Sequence, residues 1–281
     1  MVENRPTLNV LTHVTLLTGI VIVSFPIYIA FVASTHEARD ILMTVQGWFG
    51  TNLIENYTTV LQTGKASTGS ISVALMMWNS LVMALGIVVG KISISILSAY
   101  AIVYFRFPFR MLFFWLIFVT LMLPVEVRIL PTYEVVANLG LLNTYPGLVL
   151  PLIASATATF LFRQFFLTIP DELAEASRVD GAGPFRFFFD ILLPLSRTNI
   201  AALFVILFIY GWNQYLWPLL VTTEQNMTTI VMGIQAMLYV PDDINEWNIT
   251  MATAILAMLP PVLIIIVMQR QFVKGLVETE K

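Results

Sequence analysis

Long apolar runs separated by short polar links dominate this chain. Six runs can be drawn, at about 10–33, 76–104, 109–130, 146–166, 198–220 and 249–269. A helix needs about 20 mostly apolar residues to cross a bilayer, and the runs have about that length. The pattern predicts an all-α, polytopic membrane protein with six transmembrane helices. The links are a polar stretch of about 40 residues, a tight basic turn, a short amphipathic stretch, a charged loop at 167–197 and an acidic loop. None is long enough to bury a core of its own, so residues 1–281 read as a single transmembrane domain. The first run, Val10 to Ala33, exceeds the apolar region of a secretory signal and lacks a clear small-x-small cleavage site. It reads as a retained helix.

Composition agrees with this pattern. Apolar residues make up 58% of the 281 positions and charged ones 11%, against about a quarter charged in a soluble domain. A net charge of −3 with no basic patch gives no reason to expect a nucleic-acid partner. There is no cysteine, which excludes disulfides and thiolate chemistry. His13 and His36 lie on either side of the first run, so they are not expected to pair on zinc. With the N-terminus inside, the inner segments hold Arg5, Arg106, Arg110, Arg163, Arg178, Arg186, Arg197, Arg270, Lys274 and Lys281. The outer ones hold only Arg39, Lys65 and Arg128, while the loop at 221–248 carries Glu224, Asp242, Asp243 and Glu246. The bias of basic residues toward inner loops therefore puts both termini and the 167–197 loop in the cytoplasm. Trp78, Trp212, Tyr215, Trp217 and Trp247 fall near the outer ends of runs, where aromatic side chains anchor helices at the interface.

The 167–197 loop concentrates the charge. Thr168 is a candidate cap, Pro170 suits a first helical position, and Asp171 and Glu172 suit the positive end of the helix dipole. The helix would stop at Gly181, and a second would start at Pro184, run through Phe185, Phe187, Phe188 and Phe189, and break at Pro194. Exposed Glu175 and Arg178 among small residues suit docking in a groove of another protein. Charge and periodicity alone favour an amphipathic connector on the membrane surface; the motif spacing reverses that balance.

The spacing Glu175-Ala176, Gly181, Ile191, Leu193, Pro194 resembles the "EAA" loop of ABC-importer permeases. Asn79-Ser80, Tyr100 to Pro108, "GWNQYLWPL" at 211–219 and "MQRQFVKGL" at 268–276 extend the likeness over the chain. The sequence is similar to type I importer permeases of the carbohydrate-uptake class. Segments 120–132 and 154–166 and the tail "GLVETEK" look like the branch that imports sn-glycerol 3-phosphate. The resemblance implies a bacterial inner-membrane permease working with a second permease, two ATPase subunits and a periplasmic solute-binding protein. It implies no cofactor on this chain, ATP and Mg being held by the ATPases. Glu175, Ala176, Ser177, Arg178, Asp180 and Gly181 would form the coupling helix seated in an ATPase cleft. Ser177 stands where the family pattern usually has alanine.

Lys91 is the one clearly intramembrane charge, and such charges are costly enough to suggest function. It could attract a phosphate in transit, or pair with a carbonyl or snorkel. Arg128 has the planar fork that binds phosphate, or a structural role at the membrane edge. Glu126, two residues away, does not share its helix face; Pro124 and Pro131 are possible breaks. Asn213 and Gln214 could line the path or bond between helices. Gly86-x-x-x-Gly90 permits close helix packing. Gly90-Lys91 fails as a phosphate loop, because Gly86 is one residue too near and no Ser or Thr follows. Asn-x-Thr patterns at Asn56, Asn226 and Asn248 are short enough to arise by chance. A secondary transporter would want intramembrane carboxylates or broken-helix repeats, and an intramembrane enzyme a catalytic dyad or metal ligands; the runs offer little of either. An oligosaccharide or polyol is the alternative cargo.

Overall fold

The computed structural model describes residues 6–64, 71–120, 123–238 and 246–277. Arg5, Lys65, Asp242, Asp243, Lys281 and the end of the "GLVETEK" tail lie outside these described residues. The chain is mainly helical. In order the helices are α1 (Pro6–Ala33), α2 (Ala38–Met43), α3 (Leu53–Gln62), α4 (Val73–Tyr104), α5 (Arg110–Val119), α6 (Val125–Asn138), α7 (Tyr145–Val149) and α8 (Ala156–Leu167). Then come α9 (Asp171–Val179), α10 (Pro184–Phe187), α11 (Leu193–Leu195), α12 (Arg197–Trp212), α13 (Leu216–Val221), α14 (Ile230–Leu238) and α15 (Trp247–Val277).

Among the described residues three helices are long and apolar enough to cross a membrane: Leu8–Ala33, Val73–Tyr104 and Trp247–Gln271. Two bent pairs bring the number up to five if each is one span. Three predicted spans are thus interrupted. The run at 109–130 ends as a helix at Val119 and restarts after Pro124, whose extended backbone (ψ 145°) cannot continue α5. Pro131, the other suspected breaker, sits inside α6 without ending it. The run at 146–166 bends by 50° between Leu152 and Ala156. There the Ser155 hydroxyl accepts the Ala158 N–H (3.2 Å) and caps α8. The run at 198–220 stops at Trp212 and resumes at Leu216.

The chain divides into two compact units. The first comprises residues 1–75 and 233–259. Its α1 leaves nearly all of its apolar side chains exposed, a surface that only lipid or another chain can cover favourably. The polar stretch after α1, expected to be a plain link, is folded. Buried Asn56 on α3 donates to the Ser34 and His36 carbonyls (2.9 Å each) and accepts from Asn248 of α15 (3.0 Å). The Thr35 hydroxyl accepts the Gly50 N–H, and His36 meets the Trp48 carbonyl at 2.8 Å. A side chain at Gly50 would collide with the Thr35 carbonyl.

The second unit comprises residues 76–232 and 260–281. Its core gathers Met83, Ile87, Val136, Leu148, Trp217, Val221 and Met227. The predicted glycine ridge on α4 works as expected. A Cβ at Gly86 would press on Val149, and one at Gly90 would overlap Ile153, so these glycines let α4 meet the α7 region closely. Gly211 of α12 likewise faces the Ala84 backbone. Two expected interface anchors are core residues instead. Trp212 and Trp217 are 3% and 4% exposed, and the Trp217 indole donates to the Gly147 carbonyl. Trp78 and Tyr215 do remain exposed.

Candidate functional site

The charged loop folds as two helical pieces about a turn, largely as its residues predict. The Thr168 cap does not form: its hydroxyl donates back to the Phe165 carbonyl (2.7 Å), and Pro170 takes the cap position with no side-chain bond. Asp171 and Glu172 in the first turn and Arg178 in the last oppose the helix dipole favourably. At the far end the Gly181 N–H bonds the Arg178 carbonyl and the Ala182 N–H bonds the Ser177 carbonyl (2.8 Å). Gly181 has φ +71°. This paired closure requires a left-handed residue, which glycine adopts at least cost.

The helix has two distinct faces. Ala174 and Ser177, three apart, are buried. Glu175, Ala176, Arg178, Asp180 and Gly181 are exposed. Ser177, counted among the coupling residues by likeness, thus lies on the inner face. Its hydroxyl donates to the Ala174 carbonyl (3.0 Å) of its own helix, which explains why serine can replace alanine there. Val179 and Phe185 are 87% and 81% exposed. Sequence reasoning passed over both, because an apolar residue in a membrane protein attracts no notice until its exposure is known.

Aromatic packing holds the loop to α4. The Tyr100 hydroxyl donates to the Pro184 carbonyl (2.9 Å), and its ring lies 5.0 Å from Phe188. Tyr104 meets Phe187 edge-on at 5.2 Å. A cavity of about 110 Å³ remains, lined by Tyr100, Tyr104, Ala174, Ser177, Arg178 and Phe187 among others. Phe187 and Phe188 are buried roots, whereas Phe185 and Phe189 point outward. The Arg186–Asp190 ion pair (3.3 Å) is exposed on both sides and adds little. The expected break at Pro194 is displaced. A π turn over Phe188–Leu192 precedes it, and Pro194 fits into the first turn of α11. The wider turn accommodates a residue that lacks an N–H and would crowd the carbonyl four before it. The chain bends by 69° between Leu195 and Arg197, where buried Ser196 donates to the Leu192 carbonyl (2.6 Å).

The second feature surrounds Lys91. The lysine is 7% exposed, and its Nζ stands 3.9 Å over the centre of the Tyr210 ring. Arg128 on α6 is within electrostatic reach of the ammonium. Gln214 donates to the Tyr210 carbonyl (3.1 Å), and Asn213 is exposed at the end of α12. Tyr210 therefore connects three of the four path candidates: it contacts Lys91 and stands within one helical turn of Asn213 and Gln214. The tyrosine went unnoticed in the sequence, because an aromatic residue in an apolar run usually signals packing. A ring contributes at most about 2 kcal/mol to a desolvated cation, whereas burying an ammonium costs several. The contact offsets only part of the cost.

Near its N-terminal end, α4 uses Asn79 and Ser80 to hold neighbouring segments. Asn79 donates to the Asn226 and Thr228 carbonyls and accepts from the Tyr145 hydroxyl (2.7 Å). The Ser80 hydroxyl accepts the Ile230 N–H. Asn143, at φ +56°, accepts the Thr223 and Glu224 N–H groups. Asn79 and Asn143 thus join the segment at 221–230 to α4 and the α6–α7 turn.

Comparison with known proteins gives three results. The model of the family described as "Binding-protein-dependent transport system inner membrane component" matches residues 91–278. The chain is 61% identical over 282 residues to the sn-glycerol-3-phosphate transport system permease protein UgpE of Agrobacterium fabrum, covering 100% of both chains. Proteins of the same name from Brucella melitensis and Salmonella typhi are 60% and 58% identical, again over 100% of both chains. Among solved structures, a bacterial ABC transporter involved in the import of the acidic polysaccharide alginate superposes with a TM-score of 0.81 at 18% identity. It covers 97% of this chain and 99% of the other.

Proposed function

The chain belongs to the family of binding-protein-dependent transport system inner membrane components, and from that premise we propose that its cargo is sn-glycerol 3-phosphate. It is an inner-membrane permease subunit and not an enzyme; ATP hydrolysis belongs to separate ATPase subunits. The observation that carries the cargo is full-length identity of 58–61% to permeases named for that solute. Residues 1–281 act as one permease domain beside a second permease subunit, above a pair of ATPases and below a periplasmic binding protein. The chain needs no cofactor of its own, since ATP and Mg sit on the ATPases.

Six spans with both termini in the cytoplasm make the best topology. The three long helices and two bent pairs supply five, and the short apolar α5 with the segment after it supplies the sixth. The distribution of Lys and Arg favours that orientation. The exposed face of α9, with Glu175, Ala176, Arg178, Asp180 and Gly181, then seats in a cleft of the ATPase. Exposed Val179 and Phe185 suit the apolar centre of such a contact, and Ser177 backs the helix from inside. Closure of the ATPases around ATP would move α9, and its aromatic roots would carry that motion to α4. Lys91, Arg128, Asn213 and Gln214 line the solute path.

The test is uptake and ATPase activity of the reconstituted importer with its binding protein. The panel contains sn-glycerol 3-phosphate, glycerophosphodiesters, maltose-type sugars and neutral polyols. Stimulation by the glycerol phosphates is expected. Stimulation by the sugars with none by sn-glycerol 3-phosphate would sink the assignment.

A further inference from the structure

We propose that Lys91, Arg128 and Tyr210 form a station for a phosphate monoester inside this chain, with the Tyr210 ring as the resting place of the Lys91 ammonium between cargo molecules. The inference rests on the permease reading and deepens it by naming what recognises the anion.

The geometry first excludes an ordinary structural lysine. Such a residue, buried to this degree, needs a carboxylate or carbonyl partner. Among the described residues Lys91 has neither an ion pair nor a hydrogen bond; its one partner is the neutral face of Tyr210. Nor has the Arg128 side chain a carboxylate among the described residues. Two unneutralised cations within electrostatic reach of one another repel, and an anion lodged between them would turn that repulsion into attraction on both sides.

The ring explains how the site can also release its guest. An ammonium on an aromatic face is held more weakly than one hydrogen-bonded to a phosphate oxygen. Incoming phosphate would therefore draw Lys91 off Tyr210, while the Arg128 fork engages two oxygens at once. On departure the ammonium returns to the ring rather than to a bare cavity. A conducting site must bind well enough to admit its solute and loosely enough to pass it on, and the ring lowers the cost of release. A neutral sugar makes no such exchange, so the station selects by charge.

The absence of native cysteine allows a direct test. Asn213→Cys places an exposed reporter thiol one turn along α12 from Tyr210. In the reconstituted importer with cysteine-free partner subunits, an anionic sulfonate methanethiosulfonate should modify it about tenfold faster than the trimethylammonium reagent. sn-Glycerol 3-phosphate should slow the reaction and glycerol should not. Lys91→Gln should abolish both effects and Lys91→Arg should keep them. If Lys91→Gln fails to assemble, Arg128→Gln is the second variant, expected to lower the preference several-fold. Equal rates for the two reagents in the Lys91 background would overturn the station, as would an anion preference unchanged in the Gln variants. Uptake is measured in parallel in importers that keep Asn213, with and without the Lys91 and Arg128 substitutions, so that the reporter cysteine does not touch the cargo readout. An importer that takes up sn-glycerol 3-phosphate without any anion preference overturns the station alone. One that keeps the preference but takes up none overturns the cargo and supports the station.

Discussion

Gly181 has open space where a Cβ would stand, so its constraint is purely one of backbone conformation (φ +71°). Gly181→Ala should therefore cost only about 1 kcal/mol in the turn and leave uptake nearly intact. Gly181→Pro is a different change, since its ring demands negative φ and removes the N–H that bonds Arg178. It should abolish ATP-driven uptake while the permease stays in the membrane, and so should Glu175→Lys by dissociating the ATPase. Copurification and uptake check both, and full uptake by the pair would remove the coupling role. This glycine was legible because capping chemistry is local. Asn56 was not, although it ties together three separate segments. Its short Asn-x-Thr pattern carried no message, and partners such as Asn248 come from distant sequence. Asn56→Ala leaves buried carbonyls without their donor, a loss of about 2 kcal/mol. A melting temperature several degrees lower in the purified importer is expected.

Among the elements, α4 was the most readable, with a long apolar run and a glycine pair at positions 86 and 90. Gly90→Val should overpack against Ile153, at about 1–3 kcal/mol, and lower the melting temperature. Adding Ile153→Ala should recover much of the loss. Additive damage in the double variant would mean that the two residues do not meet in the membrane. The interruptions before α6 at Pro124, at 153–155 and at 213–215 were less readable. A helix surrounded by lipid and by other helices is apolar all round, so hydrophobic periodicity fades there and gives no break signal. Only Pro124, a breaker, marked one of these sites in advance; the cap at Ser155 shows only in its bond from the Ala158 N–H. Trp212 and Trp217 show the same limit, since an aromatic residue near a span end can anchor at the interface or pack inside. Close approach of Gly211 and the bond to the Gly147 carbonyl decided for the interior.

For the molecule as a whole, composition settled the class of protein before any motif was considered, because so few charged residues cannot cover a soluble domain of this length. The number of crossings was harder, as bent pairs blur where one span ends. Arg106 and Gln225 are both exposed and lie in loops on opposite sides of the proposed topology. With no native thiol to confuse the readout, Arg106→Cys should react with an impermeant maleimide only in inside-out vesicles. Gln225→Cys should react only in right-side-out ones. The reverse pattern would invert the orientation, and labelling of both from one side would change the span count. The folded stretch between α1 and α4 escaped notice for a different reason. Beside a few buried apolar groups such as Val32 and Val60, it is held by hydrogen bonds of Thr35, Asn56 and Asn248, which leave no trace in an apolar pattern.

The π turn at Phe188–Leu192 bears on how chains of unequal length should be compared. It is, in effect, one spare residue looped into a helix. Removing a residue from a regular α-helix rotates everything beyond it by about 100°, which would turn α12 away from its partners. Removing one here would instead convert the wide turn to an ordinary one and leave the downstream register unchanged. A lone gap in a relative between Phe187 and Leu193 would thus record a tolerated evolutionary step within a helix rather than a misplaced loop. A chain carrying that deletion together with Pro194→Ala should keep α12 in place.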